Sequence, residues 1–254
     1  MSVSDLAPLP DGRLVRAVTL RGGGLRATVL TFGAIVRDLR LEGEDQPLVL
    51  GCADPAAYLD CAQHMGAIVG RFANRIGGAG FELDGRRHDT DPNFLGRHTL
   101  HGGTEGAGGQ VWAIEDAAPD RVTMGLLLAD GHMGFPGNLT IRATIAVQDR
   151  ALAIEMQART DAATPCSLAH HGYFALDPGG DIRDQHLWID ADSYLPVDGD
   201  LIPLPGIAPV EGTDFDFRSP RPIGAAGYDH NFCLSRSAVP LRPVARLTGR
   251  SGWA

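Results

Sequence analysis

This chain is short of cysteine, of basic charge, of long apolar runs and of helix. The four cysteines among 254 residues, Cys52, Cys61, Cys166 and Cys233, show neither metal-knuckle spacing nor a dense framework, which predicts reduced, mostly buried thiols and no disulfide. Acidic residues outnumber basic ones, 31 to 22, for a net charge of -9. Nucleic acid and anionic membranes are therefore poor partners, because both would meet repulsion. The longest purely apolar run, Leu126 to Ala129, is too short to cross a bilayer. The opening Met-Ser-Val-Ser-Asp-Leu has neither the basic nor the apolar region of a signal peptide, so a cytoplasmic location is expected. No Gly-Lys-Ser/Thr follows the glycines of 66–80, which excludes a phosphate loop, and no Gly-x-Ser-x-Gly elbow marks a serine hydrolase. Without an internal repeat or a domain-scale linker, residues 1–254 read as a single domain. Monomer and homodimer both stay open.

What is present is β punctuation. Glycine (33) and proline (17) are abundant and fall between short alternating runs. Leu25 to Leu41 reads as two strands hinged at Gly33. Leu139, Ile141, Ala143, Ile145 and Val147 alternate with polar residues, and after Asp149-Arg150 the apolar set resumes at Leu152, Ile154 and Met156. That is a hairpin with one buried face. Val122 to Leu128 and Leu187 to Ile189 add strands with no helices between them, so the sheets should be antiparallel and the fold all-β. The one convincing helix starts at Asp54-Pro55 and carries Ala56, Ala57, Leu59, Ala62 and Met65, with aspartate as cap and proline in the first turn.

The stretch with most chemistry is Ser167 to Leu176, Ser-Leu-Ala-His-His-Gly-Tyr-Phe-Ala-Leu. On a strand, successive side chains point to opposite faces. His171, Tyr173 and Ala175 then share one face, and His170, Gly172, Phe174 and Leu176 the other, apolar one. With Phe174 and Leu176 toward the core, His171 faces a polar groove, where an imidazole can pass a proton in either direction near neutral pH. His171 is the leading candidate for catalysis. A lone strand-end histidine more often makes one structural hydrogen bond; the company of other polar segments shifts the balance here.

Four further segments stand out. Gly66 to Gly80 sets Asn74 and Arg75 among glycines, where backbone and ligand can approach closely. His98-Thr-Leu-His101-Gly102-Gly103, Gly134-Phe-Pro-Gly-Asn-Leu139 and Tyr228-Asp229-His230-Asn231-Phe232 complete the set. Each alone is ordinary turn or surface chemistry. A metal held by the pairs His98/His101 and His170/His171 is disfavoured, because adjacent strand residues diverge and no carboxylate or cysteine stands at a ligand spacing.

In this order, Gly70-Arg-Phe-Ala-Asn-Arg-Ile76, Leu100-His-Gly-Gly103, Gly134-Phe-Pro-Gly137, His171-Gly-Tyr-Phe174, Gly212-Thr-Asp-Phe-Asp-Phe-Arg218 and Gly227-Tyr-Asp-His-Asn-Phe232 resemble the aldose 1-epimerase (galactose mutarotase) family from about Leu14 to about Gly252. The resemblance implies a large antiparallel β-sandwich with a sugar site in a groove across one sheet, and interconversion of the α and β anomers of a hexose such as galactose or glucose. It assigns His171 as the acid that protonates the ring oxygen and His101 as a contact to that oxygen or a neighbouring hydroxyl. Arg75 would donate to sugar hydroxyls and Asp229 would accept from them, with Asn74 and Tyr173 as further substrate-binding residues. No cofactor or metal is implied, since the reaction involves no redox change.

Two departures set further expectations. His170 stands where the family has asparagine, which should alter the hydrogen bonding around His171. The family's general base is a glutamate well beyond Tyr228–Phe232, whereas here Arg246-Leu-Thr-Gly-Arg-Ser-Gly252 is followed by Trp-Ala. The expectation is a C-terminally truncated sandwich with weakened turnover and retained sugar binding. A non-catalytic sugar-binding or regulatory protein of the same fold is the alternative. An enzyme for a phosphorylated hexose would need a basic cluster, and Arg86, Arg87 and Arg97 are too scattered to form one.

Overall fold

The computed structural model describes residues 2–179, 181–250 and 252. Ser251, Trp253 and Ala254, on which the expected break in the family-like pattern falls, lie outside the described residues. The chain forms two compact units, Met1–Phe174 and Ala175–Ala254.

In the first unit, β1 (Ser2–Asp5), β2 (Arg16–Gly22), β3 (Leu25–Leu30) and β4 (Val36–Leu41) form one antiparallel sheet in that order. Five short strands follow: β5 (Ile68–Val69), β6 (Arg75–Ile76), β7 (Gly80–Leu83), β8 (Arg86–Asp89) and β9 (Thr99–Leu100). A second antiparallel sheet contains β10 (Ala113–Ala118), β11 (Arg121–Leu128), β12 (Leu139–Gln148) and β13 (Ala151–Thr160). Finally β14 (Ala169–His170) returns to pair with β5.

The expected hairpin is β12–β13, in register from Leu139 opposite Thr160 to Gln148 opposite Ala151. Its two turn residues, Asp149 and Arg150, have φ of 48° and 60°, the left-handed pair that matches the twist of the strands. Leu139, Ile141, Ala143, Ile145 and Val147 are each at most 1% exposed. They join Val122 and Met124 against Val18, Leu20, Ala27 and Val29 of the first sheet in one core. Burial contributes roughly 1.5–3 kcal/mol for each of the larger side chains. The antiparallel sheets that the alternation predicts pack into the sandwich that the family resemblance implies. A smaller cluster, including Leu9, Phe32, Ile35, Tyr58, Ala67 and Val69, lies beneath β5 and gives that two-residue strand a fixed footing.

The expected helix at Asp54 is a single 3-10 turn, Pro55–Leu59, with Asp54 accepting from the Ala56 N–H at 2.9 Å. It stops short of Met65, and residues 60–66 continue as turns. Tyr58 and Ala62 are already buried there, so tertiary packing rather than further helix consumes the apolar positions. The cysteines also depart from expectation: Cys61 and Cys166 are exposed, Cys52 and Cys233 half-buried. Residues 61 and 166 lie in irregular segments at the surface, which no periodicity would have revealed. No helix among the described residues is long and apolar enough to cross a membrane.

In the second unit, β15 (His186–Ile189), β16 (Ser193–Tyr194), β17 (Ala208–Pro209), β18 (Arg221–Pro222) and β19 (Ala245–Thr248) are short. β15 is the middle strand between β18 and β19. Ile189, Ala191 and Phe217 form its core with Leu187, Tyr228 and Phe232 packed around them.

Candidate active site

Three imidazoles meet in the first unit. The His101 and His171 rings are perpendicular with centroids 5.0 Å apart, His64 stands edge-on to His101 at 4.7 Å, and His64 and His171 are 6.3 Å apart. The Tyr173 ring lies 5.3 Å from that of His171. Sequence reasoning identifies His101, His171 and Tyr173 but misses His64. Gln63-His64-Met65 has no periodicity, no glycine partner and no second histidine to draw attention.

Short strands and backbone hydrogen bonds hold this group. β14 pairs Ala169 with Val69 and His170 with Ile68. The exchange continues one step further, the His171 N–H donating to the Ala67 carbonyl and the Gly66 N–H to the His171 carbonyl, both at 2.8 Å. Regular pairing then ends, and the alternation expected through Leu176 breaks. Phe174 is 45% exposed instead of facing the core beside Leu176. The reason is a change of partner: beyond Gly172 the chain bonds to residues 49–50, through the bridge Val49–Phe174 and the Leu50 N–H to the Tyr173 carbonyl. His170 does turn inward, folding over Gly172, where a β-carbon would come within 2.7 Å of its ring. Its Nε2 is buried with no partner among the described residues, and burial pushes its pKa down against an opposing backbone hydrogen bond at Gly66.

His101 is fixed differently. β6 pairs with β9, placing Arg75 opposite Leu100. One residue further along each strand, the His101 N–H donates to the Asn74 carbonyl at 2.9 Å and the Asn74 N–H donates to His101 Nδ1 at 3.0 Å. With Nδ1 an acceptor, the neutral ring carries its proton on Nε2. Burial, reinforced by His64, His171 and Arg75, holds the His101 pKa down to about 3, and burial with His171 nearby holds that of His64 at about 4. Both rings are neutral donors or acceptors around pH 7, not proton carriers. His64, Asn74 and His101 have φ of 67°, 66° and 52°. Non-glycine residues in this left-handed region cost roughly 1–3 kcal/mol each and gather at functional sites. Gly102, at φ 86°, passes so close to Gly70 that a β-carbon would lie 2.2 Å from its carbonyl oxygen.

The two arginines of Gly70–Ile76 divide their work. Arg71 is 1% exposed and donates to the carbonyls of Pro136, Gly137, Leu128 and Ala129 and to Thr164 Oγ1. It ties the Gly134–Gly137 turn to the site's scaffold. Arg75 donates to Asn74 Oδ1 at 2.9 Å and lies over the Phe94 ring at 4.9 Å, which positions its guanidinium for planar polar groups. His98 accepts from the Gly78 N–H at 3.0 Å and takes no part in the imidazole cluster. Asp229 belongs to the second unit, exposed between half-buried Tyr228 and His230. Among the described residues no group of three His, Cys, Asp or Glu side chains is arranged to hold a metal ion.

A set of edge-on and tilted imidazoles beside an arginine can donate several directed hydrogen bonds to a neutral polyol and exchange a proton with one of its oxygens. Residues 16–251 match the family model described as aldose 1-epimerase. The chain is 37% identical to the aldose 1-epimerase of Escherichia coli (strain K12) over 256 residues, covering 94% of this chain and 73% of that protein. Against the galactose mutarotase of Sus scrofa it is 36% identical over 247 residues, 92% of this chain and 72% of the other. Among solved structures, an aldose epimerase homologue from C. elegans superposes with a TM-score of 0.86 at 29% identity, covering 93% of this chain and 76% of that one. Galactose 1-epimerase from Lactobacillus acidophilus NCFM gives 0.84 at 28% identity, covering 98% and 77%.

Proposed function

The chain belongs to the aldose 1-epimerase family, and from that premise we propose that it is a mutarotase interconverting the α and β anomers of a hexose such as galactose or glucose. The reaction opens the sugar ring. The anomeric hydroxyl loses its proton to a base while the ring oxygen gains one from an acid; the resulting aldehyde rotates about its bond to C2 and recloses, returning both protons. No electrons leave or enter the sugar.

His171 is the proton carrier in this reading. The observation that supports it is the geometry of the cluster: His171 faces a perpendicular His101 ring whose tautomer is set by the Asn74 N–H. His101 then acts as a fixed Nε2–H donor to the ring oxygen or to a neighbouring hydroxyl, and its low pKa keeps it from competing for the proton. Arg75 and Asn74 donate to sugar hydroxyls, and the half-exposed Tyr173 ring offers a face for the C–H side of the sugar. For Asp229, carried by the second unit, the assignment as a hydroxyl acceptor rests on the sequence resemblance. The family's base for the anomeric proton is a glutamate well beyond Tyr228–Phe232, and none of the described residues is assigned that role.

Polarimetry on freshly dissolved α-galactose and α-glucose tests the proposal. The expected result is a rise in the rate of optical change proportional to protein concentration. Sugar binding without acceleration would make the protein a non-catalytic binder and overturn the reading. Faster exchange of hexose 6-phosphates than of free hexoses would move the substrate class.

A further inference from the structure

His64 has no assigned part in the reaction, yet it is built into the site as firmly as its two neighbours. Its φ of 67° is strained for a side chain larger than glycine. The turn that holds it, with the Ala67 N–H on the His64 carbonyl at 3.0 Å, contains the same Gly66 and Ala67 that exchange hydrogen bonds with His171. Its ring and that of His101 line a cavity of about 190 Å³ together with Arg13, Tyr58, Thr104 and Glu105. His171, Arg75 and Tyr173 do not line that cavity, so His64 and His101 form its boundary on this side.

We propose that His64 is a positioning residue for mutarotation: edge-on packing of its ring holds the His101 imidazole against His171 and limits how much of that imidazole the adjoining cavity reaches, so that His101 remains a neutral Nε2–H donor. This rests on the mutarotase reading of the same site. The cavity has a mixed lining, with Phe32 and Leu59 beside the polar groups, and is large enough for several waters. Without the His64 ring, the cavity widens over the part of the His101 imidazole that this ring now covers, and the pKa that burial holds near 3 climbs toward the ordinary value. The ionisable groups facing His101 are His64, His171 and Arg75, with Glu105 and Arg13 across the cavity. A protonated His101 could not accept from the Asn74 N–H, and it would set a positive charge close to that of Arg75. The acid limb of the rate profile should therefore move to higher pH in variants that lack the ring.

The test is a ¹⁵N NMR pH titration of His101 alongside kcat/KM from pH 4 to 8, in the unaltered chain, His64→Ala and His64→Phe. The expected outcome is that His101 stays in its Nε2–H form down to pH 4 in the unaltered chain and titrates at least one pH unit higher in His64→Ala. That variant should lose roughly 10- to 100-fold in kcat/KM near pH 6, as slight misplacement of a catalytic group does, and less at pH 8. His64→Phe, which keeps a flat ring, should recover most of the loss. Should His64→Ala not fold, His64→Asn provides the same comparison. An unchanged His101 titration, with only a lower melting temperature, would overturn the proposal. If the unaltered chain exchanges no aldose, the mutarotase reading fails while the titration still decides the role of His64.

Discussion

The β12–β13 hairpin and the histidine cluster lie in the same unit and are built by opposite means. The hairpin has ten residues on each strand, uninterrupted register and one fully buried face. The cluster hangs on two-residue strands, three left-handed non-glycine residues and single backbone hydrogen bonds between segments distant in sequence. In the hairpin every local preference agrees with the packing. In the cluster, strain and buried imidazoles are held against local preference, and the sandwich core supports them. Stability should reside mainly in the first region and chemistry in the second, so substitutions should separate the two.

The largest effect on folding should come from the hairpin. Ile145→Ala removes a fully buried side chain and should lower the unfolding free energy by about 2–5 kcal/mol in urea titrations, with anomer exchange per folded molecule unchanged. A comparable loss of exchange would break the separation.

Acid should reveal the cost of the cluster. His64 and His101 have folded pKa values of about 4 and about 3, below the ordinary 6.5. The unfolded chain therefore binds more protons between these values, and stability falls as pH falls through that window. Their contribution is complete above pH 6.5 and should shrink by on the order of a few kcal/mol toward pH 4. Urea unfolding of a His64→Phe/His101→Phe double variant should show a flatter acid dependence; an identical slope would remove the imidazoles as its cause.

Gly102→Ala should cost roughly 1–3 kcal/mol of stability through its φ and its approach to Gly70. It should also slow exchange, because it displaces the adjacent His101; thermal melts and anomer exchange together report both. Smallest is Arg75→Lys, which retains charge but loses the planar fork. About a tenfold fall in kcat/KM is expected, with the melting temperature unmoved.

The same contrast explains what could be read in the sequence. Leu139 to Met156 announces its hairpin because alternation is informative where a strand is long and one face is buried. Asn74, Arg75, His101 and His171 stand out as candidates from the order of their motifs along the chain. His64 was not, since nothing local distinguishes it, and only the long-range bonds of Gly66 and Ala67 to His171 bring it to the site. Phe174 was misplaced for a related reason: two residues of strand cannot carry an alternation past a change of hydrogen-bonding partner. Arg71 and Arg75 sit four residues apart in one motif, and only packing buries the first among backbone carbonyls and leaves the second half-buried over Phe94.

The most direct test compares galactose anomer exchange by NMR in the unaltered chain, His171→Ala and His170→Ala, with melting temperatures measured alongside. If His171 carries the proton, its loss should slow exchange by roughly 100- to 10,000-fold with little change in stability, while His170→Ala should cost less than about tenfold and act mainly through packing. Equal, small losses in the two variants would contradict the assignment of His171 as the group that protonates the sugar ring.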